Sequence, residues 1–147
     1  MPRGIGTHFC CINDCQGYTY SYVEIYGNLS GEEKLNLWLF CNSSLFWLLR
    51  ELTGRTNLGG GMLKAEATDL KTLPIAFCFN KYEKILEIYE LAKEESAVPR
   101  FEIALESNIH KRIDDMVLEF FNLEKDREYI INELKRLYYA RMKKSKT

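Results

Sequence analysis

The most informative part of this chain is the stretch from Asn42 to Pro74, NSSLFWLLRELTGRTNLGGGMLKAEATDLKTLP. It opens with an apolar segment that is typical of a buried helix. A polar and basic loop with three consecutive glycines follows, and then a short strand over residues 62–67 and a small capped turn are predicted. Gly54 is the expected end of the helix, because glycine readily takes the left-handed conformation of a helix C-terminus.

The helix that enters this stretch is predicted to begin with a capping box. Ser30 is placed to cap the helix, and Glu33, three residues later, can reach back to the Ser30 amide. The segment is apolar from Leu35 to Leu52, which raises the question of a membrane span. Asn42-Ser43-Ser44 and Arg50-Glu51 interrupt it, so it falls short of the ~20 apolar residues that a span needs. We therefore expect a central, buried helix that is kinked or re-capped at residues 42–44.

Residues before and after this helix define the predicted fold class. Residues 5–12 and 18–26 alternate as strands joined by a polar turn. After residue 79 the apolar spacing changes from alternating to helical, with one break near Asn108. The prediction is an α+β fold in which a small antiparallel sheet packs on the buried apolar helix and is followed by a helical C-terminal part. The predicted division is 1–79 for the α+β region and 80–147 for the helical region.

Composition places the chain among globular proteins with one core. Hydrophobic residues make up 46% and charged residues 28% of the 147 residues, which is an ordinary globular balance. The net charge of -1 provides no overall attraction to nucleic acid, so any DNA affinity must come from local patches or from a partner. The N-terminus lacks a basic-then-apolar signal, and together with five cysteines, an odd number, this favours a reducing cytoplasm.

The cysteines and histidines do not form a recognisable metal motif. Cys41 and Cys78 lie in apolar runs and are expected to be core residues. The alternative is a zinc site formed by His8, Cys10, Cys11 and Cys15. However, the sequence has no second Cys-x-x-Cys, and a strand would point Cys10 and Cys11 to opposite faces. We therefore predict no metal site.

The glycine-rich loop is the strongest candidate for a functional site. Three consecutive glycines are costly to order, but they allow a close approach of another backbone and leave amides free to meet phosphate oxygens. Arg55 is suited to a phosphate or a guanine edge, and Asn57 is the side-chain type that pairs with adenine. The alternative interpretation is that residues 54–61 only connect a helix to a strand.

The layout of residues 42–74 resembles the target-recognition region of adenine-specific DNA methyltransferases of restriction-modification systems, the TaqI-like C-terminal specificity domain. Pro2-Arg3-Gly4-Ile5-Gly6 upstream and Arg112-Ile113-Asp114-Asp115-Met116-Val117 downstream extend the resemblance over nearly the whole chain. The resemblance implies that residues 1–79 recognise a sequence in double-stranded DNA. The DNA-binding residues expected from the loop are Arg55, Thr56, Asn57, Gly59, Gly60, Gly61 and Lys64.

The catalytic half of such an enzyme is missing from this sequence. No Asn/Asp-Pro-Pro-aromatic loop is present, since the three prolines are isolated, and the glycine cluster follows a helix rather than a buried strand. We therefore expect no catalysis and no cofactor for this chain alone. A separate catalytic chain that binds S-adenosylmethionine is the implied partner, and no membrane is involved. The alternative function is a helical protein-protein interaction module without nucleic-acid contact.

Three further groups of polar residues are the acidic pair 114–115, the two histidines and the basic C-terminus. Asp114 and Asp115 are read as surface acids, since they point about 100° apart around a helix. His8 and His110 have no neighbouring nucleophile motif, so no catalytic triad is predicted. The basic C-terminus is read either as solvated helix-end charge or as extra phosphate contacts. Its cations are Lys135, Arg136, Arg141, Lys143, Lys144 and Lys146.

Overall fold

The structure, a computed structural model, is predominantly helical: of the residues that it describes, 66% are in helices and 3% in strands. It describes residues 1, 4–5, 7–13, 17, 23–25, 27–55, 62–64, 66–76, 78–95 and 100–143. The predicted α+β fold with a small antiparallel sheet as one layer is therefore wrong. The core of the described residues is formed by helices that pack on other helices.

Seven α-helices and two short strands make up the regular structure of the described residues. The strands are β1 (Gly4–Ile5) and β2 (Leu63–Lys64). The helices of the first half are α1 (Gly31–Cys41), α2 (Ser44–Thr53) and α3 (Ala67–Leu70). Those of the second half are α4 (Tyr82–Lys93), α5 (Phe101–Glu106), α6 (Asn108–Phe121) and α7 (Arg127–Lys143), with a short 3-10 turn at Glu124–Asp126 before α7.

The central apolar segment forms two helices rather than one. The capping box is confirmed: the Ser30 side chain accepts a hydrogen bond from the Glu33 amide, and the Glu33 carboxylate accepts one from the Ser30 amide. The chain is re-capped at residues 42–44, because α1 ends at Cys41 and the Ser43 side chain accepts the Phe46 amide to start α2. Seven of the eleven residues of α1 and five of the ten residues of α2 are buried.

The helical prediction for the second half is confirmed over the described residues 80–95 and 100–143, including its internal break. Ser107 ends α5 and caps α6 by accepting the His110 amide. Asn122 ends α6 in the left-handed conformation, with φ 57°. Helices α4, α6 and α7 pack around α1 and α2, so one cluster of buried side chains includes residues from both halves of the chain.

The predicted N-terminal strands are largely absent from the residues that the structure describes. Gly4 and Ile5 pair antiparallel with Lys64 and Leu63, whereas residues 7–13 and 23–25 have no strand conformation. Among the described residues of the predicted strand at 62–67, strand conformation is found at Leu63 and Lys64 only. Most of the second predicted strand, residues 18–22, lies outside the described part of the chain.

The two cysteines that are predicted to be core residues differ in burial. Cys41 is buried as expected, but Cys78 is exposed, so its assignment to the core is wrong.

Among the described residues, no helix is both long and apolar enough to cross a membrane.

Candidate nucleic-acid interface

The base of the glycine loop is built from the end of α2, strand β2 and helix α3. Arg55 and Lys64 form a two-way backbone bridge, in which the Arg55 amide donates to the Lys64 carbonyl at 2.9 Å and the Lys64 amide donates to the Arg55 carbonyl at 3.0 Å. The bridge closes the segment between them and places the two predicted cations side by side. Thr56, Asn57, Gly59, Gly60 and Gly61 lie outside the described residues.

A buried leucine and a glycine hold this base in place. The Leu63 side chain is completely buried. A Cβ atom at Gly54 would stand 2.4 Å from Leu63 Cδ1 and 2.8 Å from the Arg50 carbonyl oxygen. Gly54 ends α2 as predicted, but with φ -72° rather than in the left-handed conformation. The glycine is needed for close packing against Leu63 and not for its backbone angles.

Both described cations of the loop are held by carboxylates. Arg55 donates from Nη2 to Asp69 Oδ1 at 2.9 Å, and 60% of its side chain is exposed. The Glu66 amide and the Arg55 guanidinium together hold the pKa of Asp69 below its ordinary value. Lys64 Nζ lies 2.5 Å from Glu66 Oε1, with 39% of its side chain exposed. The ion pairs orient the two cationic side chains, and the carboxylates offset part of their positive charge.

A second polar group, which the sequence analysis did not identify, lies between α2, α7 and the N-terminal segment. Arg141 donates to Glu51 through two atoms, from Nη2 to Oε1 at 2.6 Å and from Nε to Oε2 at 3.0 Å. His8 Nε2 lies 2.8 Å from Glu51 Oε1. All three side chains are buried. Arg141 is therefore neither a solvated helix-end charge nor a phosphate contact.

This group has pKa values that follow from its burial. Burial lowers the pKa of His8 from 6.5 to about 4, although the hydrogen bond with Glu51 opposes this change. Burial also raises the pKa of Glu51, but the bonds from His8 and Arg141 outweigh it and leave that pKa below its usual value. At neutral pH the pair is therefore an ionised carboxylate with a neutral imidazole.

Ser44, His110 and Asp114 meet where α2 begins beside α6. Ser44 Oγ lies 2.8 Å from His110 Nε2, and the Ser44 amide donates to Asp114 Oδ1 at 2.7 Å. Asp114 Oδ2 lies 3.6 Å from the same His110 Nε2. In a catalytic triad the acid holds the other ring nitrogen, so this group is a buried link between helices. Asp114 is thus not a surface acid, whereas Asp115 is exposed.

The predicted absence of a metal site stays a prediction. Among the described residues, no three His, Cys, Asp or Glu side chains are grouped to hold a metal ion, and Cys15 of the considered cluster lies outside them.

In comparisons with known proteins, no protein-family model, curated protein or solved structure matches the chain.

Proposed function

We propose that this chain is a DNA-recognition piece of an adenine-specific methyltransferase of a restriction-modification system, without catalytic activity of its own. The observation that carries the proposal is the two-way backbone bridge between Arg55 and Lys64. It closes a loop of three glycines on a base that is anchored by buried Leu63. A fixed base with exposed cations beside a glycine-rich loop suits contact with a phosphate backbone.

The carboxylates beside the two cations bear on the expected affinity. Since Asp69 and Glu66 neutralise Arg55 and Lys64 in part, and the net charge is -1, binding by the chain alone should be weak and sensitive to salt. Specific, tighter binding is expected beside a catalytic chain that binds S-adenosylmethionine and contributes its own phosphate contacts.

The experiment is a fluorescence-anisotropy titration of a mixed-sequence DNA duplex with the chain, alone and with any methyltransferase chain encoded beside it, at 50 and 200 mM salt. Arg55→Ala and Lys64→Ala should each weaken binding, and Lys64→Ala should reduce the salt slope by about 0.9, which corresponds to one lost phosphate contact. Asn57→Ala should relax base preference at one position and cost about 1–3 kcal/mol against the preferred base.

The chain offers matched controls for both cations. Arg136 is 62% exposed and pairs with Glu133, as Arg55 is 60% exposed and pairs with Asp69. Lys81 is 40% exposed and pairs with Glu119, as Lys64 is 39% exposed and pairs with Glu66. Lys81→Ala should bind DNA as the parent does, and Arg136→Ala should do so if the basic C-terminus is solvated helix-end charge rather than a set of phosphate contacts. If the loop variants also bind like the parent, the loop is only a connector.

One observation favours the alternative, a helical protein-interaction module. Ile103 on α5 and Tyr129 on α7 are large apolar side chains with 60% and 67% exposure. A chain that shows no salt-dependent DNA binding, alone or with the neighbouring methyltransferase, would favour this module over DNA recognition.

A further inference from the structure

The side chain of Asn42 brings Cys10 of the N-terminal segment beside Cys41, the last residue of α1. Asn42 Oδ1 accepts a hydrogen bond from the Cys10 amide at 2.9 Å, and Asn42 Nδ2 donates to the Cys10 carbonyl at 3.0 Å. The two thiols are hydrogen-bonded to each other. Two cysteines can form a disulfide only when the fold places their side chains together, and this pair meets that condition.

The two thiols differ in acidity. The pKa of Cys10 is lowered, mainly because its sulfur accepts the hydrogen bond of the Cys41 thiol, although burial opposes this change. The pKa of Cys41 is raised well above its usual value, because it is the donor in this bond and is buried. The buried cation Arg50 favours the thiolate form of Cys10 as well. Cys10 is therefore the nucleophile of the pair, and Cys41 keeps its proton.

The two residues also differ in exposure. Cys10 is partly exposed, whereas Cys41 is buried. Residues 7–13 form neither helix nor strand, so no regular backbone ladder opposes local opening of the chain around Cys10. Cysteines that react with peroxides are accessible, have thiolate character and lie beside a second thiol that resolves the first product. Cys10 and Cys41 together have these properties.

We propose that Cys10 and Cys41 form a redox-active pair, which a hydroperoxide converts reversibly into a disulfide that ties the N-terminal segment to α1. The proposal does not depend on DNA recognition, since neither cysteine belongs to the loop base. It concerns a covalent modification of the chain and not the binding of a ligand.

The oxidation takes two steps. In the first, the Cys10 thiolate attacks one oxygen of the hydroperoxide; an S–O bond forms, the O–O bond breaks, and the other oxygen leaves and takes up the proton that Cys10 had released. In the second, the Cys41 sulfur attacks the sulfur of the Cys10 sulfenic acid; the S–S bond forms, the S–O bond breaks, and the hydroxyl leaves with the Cys41 proton as water. The pair loses two electrons and the hydroperoxide gains them.

The first experiment uses two triple variants that differ in which N-terminal thiol remains. The pair variant (Cys11→Ser, Cys15→Ser and Cys78→Ser) keeps Cys10 with Cys41. The control variant (Cys10→Ser, Cys15→Ser and Cys78→Ser) keeps the neighbouring Cys11 with Cys41. Both are checked for folding by circular dichroism and treated with hydrogen peroxide at pH 7.5. They are then unfolded, and the remaining thiols are counted by alkylation with iodoacetamide and mass spectrometry.

The pair variant should lose both thiols and regain them after treatment with dithiothreitol. Its tryptic digest should contain peptide 4–34 linked to peptide 35–50, whereas the control variant should contain no such link. If the pair variant keeps both thiols, or if the control variant forms the link equally well, the proposal is wrong.

The second experiment separates the roles of the two thiols. A further Cys41→Ser change in the pair variant keeps a hydrogen-bond donor but removes the resolving thiol, so peroxide should leave Cys10 as a sulfenic acid that dimedone labels. A Cys10→Ser change in the pair variant should leave Cys41 unlabelled. Equal labelling of the two single-thiol proteins would contradict the assignment of Cys10 as the attacking thiol.

The third experiment compares the oxidised and the reduced pair variant in urea. The disulfide restricts the unfolded chain between the two cysteines, so the oxidised protein should unfold at a higher urea concentration. A lower unfolding midpoint after oxidation would mean that the bond forms only when the packing is distorted, and it would contradict the placement of the two thiols.

Discussion

At the scale of single residues, Glu51 joins three separate parts of the chain. Its carboxylate accepts bonds from Arg141, 90 residues away, and from His8, 43 residues away. Removal from water strongly destabilises a carboxylate. A buried carboxylate therefore needs well-placed partners such as these to offset the lost hydration. The group thereby ties α7 and the N-terminal segment to α2.

Removal of the Glu51 charge should strongly destabilise the protein. Glu51→Gln is nearly isosteric but leaves Arg141 buried without a counter-charge, which should reduce the free energy of unfolding by about 3–5 kcal/mol in urea denaturation. The control is Glu90→Gln, which removes an exposed ion pair with Lys93 and should change stability little. Similar unfolding midpoints for the two variants would contradict the structural role of Glu51.

The buried histidines should make stability depend on pH. His8 has a pKa of about 4 in the folded chain, against 6.5 when it is solvated, so the unfolded chain binds more protons between these values. The free energy of unfolding therefore falls as the pH falls from 6.5 to 4, by about 2 kcal/mol for His8 alone between pH 7.5 and pH 5. Burial shifts the pKa of His110 in the same direction.

The measurement is urea denaturation of the parent and of His8→Phe at pH 7.5 and pH 5. The variant has lost the titrating ring, so its stability should fall less over this interval than that of the parent. An equal fall in both proteins would assign the pH dependence to other groups.

At the scale of elements, the loop base depends on the close approach of α2 to β2. Gly54→Ala should lower the free energy of unfolding by about 1–3 kcal/mol, because its methyl group would overlap the buried Leu63 side chain and the Arg50 carbonyl. Gly31→Ala is the control, since a Cβ there meets nothing within 4 Å. The measurement is the thermal unfolding midpoint of each variant, compared with that of the parent. If Gly54→Ala is as stable as the parent, the base is looser than this packing implies.

At the scale of the whole molecule, α1 and α2 share their core with α4, α6 and α7. Both tryptophans of the chain lie in this shared core, Trp38 on α1 and Trp47 on α2. A shared core favours one cooperative unfolding transition.

Tryptophan fluorescence and the helical signal of circular dichroism should accordingly change together in urea. The fluorescence reports the environment of α1 and α2, and the dichroism is dominated by helices of the second half. If the helical signal persists at urea concentrations well above those that expose the tryptophans, the protein contains two units that unfold separately.

Local sequence determined much of the helical structure. The Ser30–Glu33 capping box, the re-capping at residues 42–44 and the break near Asn108 all depend on residues within one helical turn. Such signals can be read from sequence because the groups that satisfy each other are neighbours in the chain.

The tertiary structure alone decided how polar side chains are paired. The alternation in residues 5–12 predicted a strand, but Asn42 bonds the Cys10 backbone through its side chain where a neighbouring strand was expected. Their sequence positions predict surface charges at Asp114 and Arg141, but both side chains are buried. Arg141 does lie on the apolar face of α7 with Leu134 and Tyr138. However, that local pattern does not identify its partner, since Glu51 meets it only after α2 and α7 have packed together.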